Sequence, residues 1–89
     1  MLEVGCGSGI YIKRACDRNP YLNVVGIELQ EKVADFAREN VTAWQISNRV
    51  KIAANDIRDY TSENKYDIIT FFNLIYYFPG VDIPIIRRA

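Results

Sequence analysis

Apolar residues bracket a lone Glu3 in Met1–Val4 and run directly into Gly5-Cys6-Gly7-Ser8-Gly9, the pattern of a strand that opens into a flexible turn. Ile10, Ile12, Ala15 and Cys16, set among Tyr11, Lys13, Arg14 and Asp17, then predict a short helix over 10–18, which Asn19-Pro20 stops. Tyr21 to Leu29 is nearly continuous in Leu22, Val24, Val25 and Ile27, the habit of a strand covered on both faces. Val33, Ala34, Phe36 and Ala37 fall at helical spacings among charged neighbours, so Glu31 to Asn40 is a second helix, able to run on through Trp44 to Ile46. Val50–Ala54 and Tyr66–Phe72 are further strands, with a polar, turn-like stretch from Arg58 to Lys65 between them. Leu74 to Ala89 is apolar and aromatic but punctuated by Pro79-Gly80 and Pro84, which leaves a helix start, a loop and the front of a crossover all open.

Strand, helix, strand, helix, strand, loop, strand is the start of a doubly wound sheet. The expected fold is α/β and Rossmann-like, truncated to about four mainly parallel strands. At 89 residues the chain is one small domain, and at this size a chain buries only about 60% of its unfolded surface, so the core is marginal unless further sequence or a partner completes it. Eleven basic and eleven acidic residues cancel, which gives no bulk attraction to nucleic acid or to a membrane surface. No apolar run approaches the roughly 18 to 20 residues that span a bilayer. Cys6 and Cys16 are too few for a disulfide scaffold or a structural zinc site, and with no signal-like start they read as free thiols in a cytoplasmic, reducing setting. No metal site is expected.

Chemistry concentrates at the strand ends. The glycines of Gly5–Gly9 let backbone turn tightly and approach a ligand, and the following helix start offers unpaired N–H groups. The spacing is not that of a dinucleotide fingerprint, because Ile10 stands where G-x-G-x-x-G has its last glycine, and no Lys-Ser or Lys-Thr pair follows to make a phosphate loop. Glu28, ending the second strand, can accept from the two hydroxyls of a ribose, with a plain surface acid as the alternative. Asp56-Ile57 after the third strand can meet adenine, the carboxylate at the amine and the aliphatic group on the ring, with a helix-capping or turn aspartate as the alternative.

Taken in order, Glu3-Val4-Gly5-Cys6-Gly7-Ser8-Gly9, Glu28, Asn55-Asp56-Ile57 and Asp67-Ile68-Ile69-Thr70-Phe71-Phe72-Asn73 resemble the successive cofactor motifs of the class I S-adenosylmethionine-dependent methyltransferases. The likeness covers Leu2 to about Phe78. It implies an S-adenosyl-L-methionine site in which Glu3 orients the loop near the methionyl amine and Gly5, Cys6, Gly7, Ser8 and Gly9 pass beneath the cofactor. In the same site Glu28 binds the ribose, Asp56 and Ile57 hold adenine with Leu29 touching the base, and Asn73 faces the methionyl part and the substrate. No catalytic base is singled out, because the cofactor already carries the activated methyl. Tyr76 and Tyr77 read equally as entrance or as core aromatics.

The family sheet implied has seven strands, so residues 1–89 read as a partial methyltransferase domain that holds the cofactor half of the pocket. An order of third, second, first, fourth strand leaves the fourth at an open apolar edge, a route to self-association or to a partner chain. No Asn-Pro-Pro-Tyr or Asp-Pro-Pro-Tyr follows the fourth strand, and no basic patch interleaves with aromatics, so nucleic acid is not favoured and a small molecule is the default acceptor. A noncatalytic methyltransferase-like partner and a fragment of a nucleotide-binding oxidoreductase remain as alternatives.

Overall fold

The computed structural model describes residues 1–60 and 66–71, together with the backbone of 74–77. The elements run β1 (Leu2–Val4), α1 (Ile10–Arg18), β2 (Val24–Glu28), α2 (Glu31–Ala43), β3 (Val50–Ala54), β4 (Ile68–Phe71) and β5 (Leu74–Tyr77). They form one sheet in the order β3-β2-β1-β4-β5, in which β1 to β4 pair in parallel and β5 is antiparallel to β4.

Alternation along the strands divides the core between two faces. On one, Ile12 and Cys16 of α1 and Ala37 and Val41 of α2 pack with Val24 and Val50. On the other, Leu2, Val4, Ile27 and Ile69 are closed over by Tyr66, with Ile57 and Tyr60 packed against them. Helix and sheet touch most closely at Gly26, where a Cβ would stand 2.9 Å from the tips of both Ile12 and Ile52 and 3.1 Å from the Cys6 sulfur. Only a glycine lets α1 sit this close to β2.

Three boundaries and one edge differ from the sequence pattern, and of the boundaries β4 begins at Ile68 and not at Tyr66. β2 starts at Val24, because the chain turns after Pro20 with Leu22 N–H on Asn19 O at 3.1 Å, leaving Tyr21 92% exposed. α2 ends at Ala43: Gln45 adopts φ 61° and Ile46 N–H reaches back to Val41 O at 3.1 Å, a left-handed helix ending that tucks Ile46 into the core. The remaining difference corrects the expected sheet edge. β4 is not an edge, because Leu74–Tyr77 returns beside it with Leu74 opposite Phe71 and Tyr77 opposite Ile68. A neighbouring strand in sequence can pair antiparallel through a short connection, and Ile75-Tyr76-Tyr77 is strand-favouring.

Candidate functional site

Gly5, Gly7 and Gly9 all take positive φ, at 76°, 54° and 88°. The chain can therefore leave β1, reverse, and enter α1 within five residues without side-chain strain. Four long-range hydrogen bonds hold this loop. Gly5 and Cys6 donate their N–H groups to Ile27 O at 2.8 and 3.1 Å, Gly7 N–H donates to Glu28 Oε1 at 3.0 Å, and Asn40 Nδ2 of α2 donates to Ser8 O at 3.0 Å.

Glu28 thus fastens the loop to the end of β2. Its second oxygen accepts Gln30 N–H at 3.1 Å. A carboxylate oxygen has two lone pairs, so each still has one for an outside donor while backbone amides fix the orientation. The end of β3 is drawn alongside by Asn55 N–H on Glu28 O at 3.0 Å. Asp56 follows, its Oδ1 accepting Arg58 N–H at 2.9 Å and both of its oxygens contacting Arg58 Nε at 3.1 Å.

These strand ends enclose a cavity of about 400 Å³ lined by Gly5, Glu28, Leu29, Gln30, Asp56 and Ile57 among others. Leu29 is 67% exposed, a large apolar side chain left open beside the two carboxylates. Five of the residues expected at the cofactor, Gly5, Glu28, Leu29, Asp56 and Ile57, therefore meet in one place. Gly7 is tied to it through Glu28. Cys6 turns the other way into the core under the helices, where burial, reinforced by Glu3 and Glu28, pushes its thiol up to about 12. Gly9 caps α1 against Trp44.

Glu3 does not line that cavity. It sits 2% exposed on the α1 side of the sheet, directly opposite Thr70, whose hydroxyl donates to Oε1 at 3.2 Å. Oε2 has no partner among the described residues. Burial raises the carboxyl to about 7, with the Thr70 bond pulling it partly back. Glu3 and Thr70 form part of the lining of a second cavity, of about 570 Å³, walled by Tyr11, Arg14 and Ala15 of α1. Asn73 lies outside the described residues, as do the side chains of Tyr76 and Tyr77.

Sequence reasoning passed over Gln30, Asn40, Arg58 and Thr70. Only Thr70 left a trace, since the strand order places it level with Glu3. Among the described residues no group of three or more His, Cys, Asp or Glu side chains is placed to hold a metal, and no helix is long and apolar enough to cross a membrane.

A doubly wound sheet, a glycine turn after β1, and acceptors at the ends of β2 and β3 around one cavity define an α/β domain with its candidate ligand site at the carboxyl ends of the strands. Comparison with known proteins makes the class specific: the methyltransferase domain family matches residues 1–89, and the chain belongs to that family. One relative, a tRNA (guanine-N(7)-)-methyltransferase of Streptococcus sanguinis, is 31% identical over 68 residues, 74% of this chain and 32% of that protein. A malonyl-[acyl-carrier protein] O-methyltransferase of Priestia megaterium is 29% identical over 69 residues, 78% of this chain and 24% of its own length. Among solved structures, an S-adenosylmethionine-dependent methyltransferase of Thiobacillus denitrificans in complex with S-adenosyl-L-homocysteine superposes with a TM-score of 0.70 at 24% identity, over 79% of this chain and 28% of that one. The chain thus spans about a third or less of these relatives.

Proposed function

We propose that the chain is the cofactor-binding part of an S-adenosylmethionine-dependent methyltransferase, with the strand-end cavity taking the adenosine half of the cofactor. The observation that carries this reading is Glu28: two backbone amides hold it, it keeps a lone pair on each oxygen, and it shares a cavity with Asp56 and Ile57. When bound, the cofactor supplies a methyl group activated on sulfur. The chain's own part is binding and orientation. Glu28 accepts from the ribose hydroxyls, Asp56 accepts from the adenine amine, Leu29 and Ile57 offer apolar surface to the ring, and the glycine turn lets backbone lie close beneath. The orphaned oxygen of Glu3 fits the methionyl amine, a donor of the kind a buried carboxylate without a partner requires.

The acceptor is read as a small molecule on the neutral charge of the chain. The tRNA enzyme among the relatives makes RNA the competing reading. The chain spans about a third of that relative's length, and a second chain at the sheet edge is the proposed partner. Pairing through a sheet edge would use β3 or β5, the outer strands of the described sheet. Two buried, unpaired thiols suit the cytoplasm.

Titration of the ¹⁵N-labelled chain with S-adenosylhomocysteine and, separately, with a nicotinamide dinucleotide tests the proposal. Amide shifts at Gly5, Gly7, Glu28, Leu29, Asp56 and Ile57 with the first ligand are expected. Tighter binding of the dinucleotide would replace the methyltransferase reading with the oxidoreductase one, and a spectrum unmoved at millimolar S-adenosylhomocysteine would end it.

A further inference from the structure

β3 is an outer strand of the described sheet, and what its free edge presents follows from the bonds on its other side. Val24 N–H donates to Arg49 O at 2.8 Å and Asn55 N–H to Glu28 O at 3.0 Å, so the odd-numbered residues from 49 to 55 turn their backbone groups toward β2. By alternation Val50, Ile52 and Ala54 turn theirs outward. Such an edge is a template for another strand. The outward set is symmetric about Ile52, so a second copy lying antiparallel would pair Val50 with Ala54 and Ile52 with Ile52, each pair exchanging N–H and carbonyl both ways. The centre of that pairing is already occupied. Arg38, reaching over from α2, donates from Nε and Nη2 to Ile52 O at 3.2 and 3.0 Å, while Asp35 Oδ1 accepts from its Nη1 at 2.8 Å. A carbonyl oxygen has two lone pairs, and the guanidinium engages both.

We propose that Arg38 closes the β3 edge to strand addition by a second copy of this chain. With Ile52 O capped in each copy, the central pair would lose both of its bonds, and the guanidinium would stand where the incoming backbone must lie. The Arg38 and Asp35 side chains are 44% and 61% exposed, so their ion pair orients the fork more than it adds stability. The closure bears on the candidate site. A second copy in that register would put its Val50 beside Ala54, directly before the Asn55-Asp56-Ile57 wall of the strand-end cavity. Closing β3 keeps this wall clear whichever ligand the cavity takes, and it leaves β5 as the outer strand for a partner chain.

Amide hydrogen exchange and sedimentation velocity on the 89-residue chain, from micromolar to millimolar concentration, test the closure. In the wild-type chain and in Asp35→Ala, which leaves the cap on Ile52, the outward amides of Ile52 and Ala54 should exchange fast at every concentration, with those of Lys51 and Ala53 protected by β2. Asp35→Ala/Arg38→Ala keeps the net charge at zero and frees Ile52 O. Its self-association should be about tenfold to thirtyfold stronger than that of the wild-type chain, with the Ile52 and Ala54 amides slowing as the dimer forms. Adding Ala54→Pro, which removes an outward N–H and spares the ladder to β2, should reverse both changes. Asp35→Asn/Arg38→Met, which keeps side-chain bulk on α2, should behave like the double alanine variant and guards against loss of the fold. Ile52 and Ala54 amides that slow with concentration in the wild-type chain would overturn the proposal. The same follows if they stay fast in both double variants while Lys51 and Ala53 remain protected, whatever association the sedimentation shows through other surfaces.

Discussion

At the end of β2, the Glu28 carboxylate accepts one backbone N–H on each oxygen, at 3.0 and 3.1 Å. One strand away, beneath α1, the Glu3 carboxylate has Thr70 Oγ1 at 3.2 Å on one oxygen and no partner on the other. The two acids belong to neighbouring parallel strands, and Glu3 lies level with Gly26, only two residues short of Glu28. Both therefore leave by the same face of the sheet, and what separates them is position: Glu28 stands at the carboxyl end of β2, whereas Glu3 lies in the middle of β1 under α1. Glu28 emerges where backbone amides converge and solvent still reaches, so its charge is oriented without being isolated. Glu3 is carried under a helix, where desolvation favours the neutral acid. Identical chemistry thus becomes a rigid anchor in one place and a group awaiting a donor in the other.

Removing the anchor breaks the comparison most severely. Glu28→Ala takes away the acceptor for Gly7 and Gln30 and, on the proposed function, both bonds to the ribose. Loss of S-adenosylhomocysteine affinity by about 100-fold is expected, together with about 1–2 kcal/mol of folding stability. Calorimetric titration and urea unfolding read the two quantities separately. Unchanged affinity would show that Glu28 serves the loop and not a ligand.

Much of this anchor is legible in the sequence. α1 runs from Ile10 to Arg18 as the pattern requires, because a glycine cluster and an Asn-Pro pair punctuate it locally. β3 likewise keeps Val50–Ala54. Glu28 and Asp56 needed only the strand order to be brought together, and that order follows from two crossovers of one hand. The supports of the site were illegible for the converse reason. Thr70 reaches Glu3 across 67 residues and Asn40 reaches Ser8 across 32, and neither pairing has a local signature. β5 was missed because an apolar aromatic run can become a strand or a helix, and the choice depended on the pairing edge that β4 offered.

Glu3 yields the next largest effect, and its sign is definite. The unfolded carboxyl titrates near 4.5 and the buried one near 7, so between those values the folded chain keeps a proton that the unfolded chain has released. Stability contributed by the neutral acid is therefore present at low pH, falls as pH rises from about 4.5 to 7, and is gone above that, a change of about 3 kcal/mol. Urea unfolding at pH 5 and pH 8 should show this slope in the wild-type chain and its absence in Glu3→Gln, which at pH 8 should be the more stable by about 2 kcal/mol. The ligand sharpens the contrast. An amine meeting Glu3 favours the carboxylate, so S-adenosylhomocysteine affinity should rise between pH 5.5 and 7.5 in the wild-type chain and stay level in the variant. Equal slopes in the two chains would remove Glu3 from the cofactor site.

The smallest expected effect concerns the loop that lies between the two acids. Asn40 is half-buried on α2, and among the described residues its Nδ2–H on Ser8 O at 3.0 Å is the one hydrogen bond from that helix to the glycine turn. Asn40→Ala leaves a carbonyl that water can partly serve, so the loss of stability should be about 1 kcal/mol. The backbone bonds of Gly5, Cys6 and Gly7 to β2 remain, and they hold the first half of the turn in place. Faster amide exchange should therefore appear at Ser8 and Gly9 and not at Gly5 or Gly7, with a loss of S-adenosylhomocysteine affinity of about threefold. Exchange accelerating uniformly from Gly5 to Gly9 would mean that the turn is one cooperative unit, and that Glu28 alone does not anchor it.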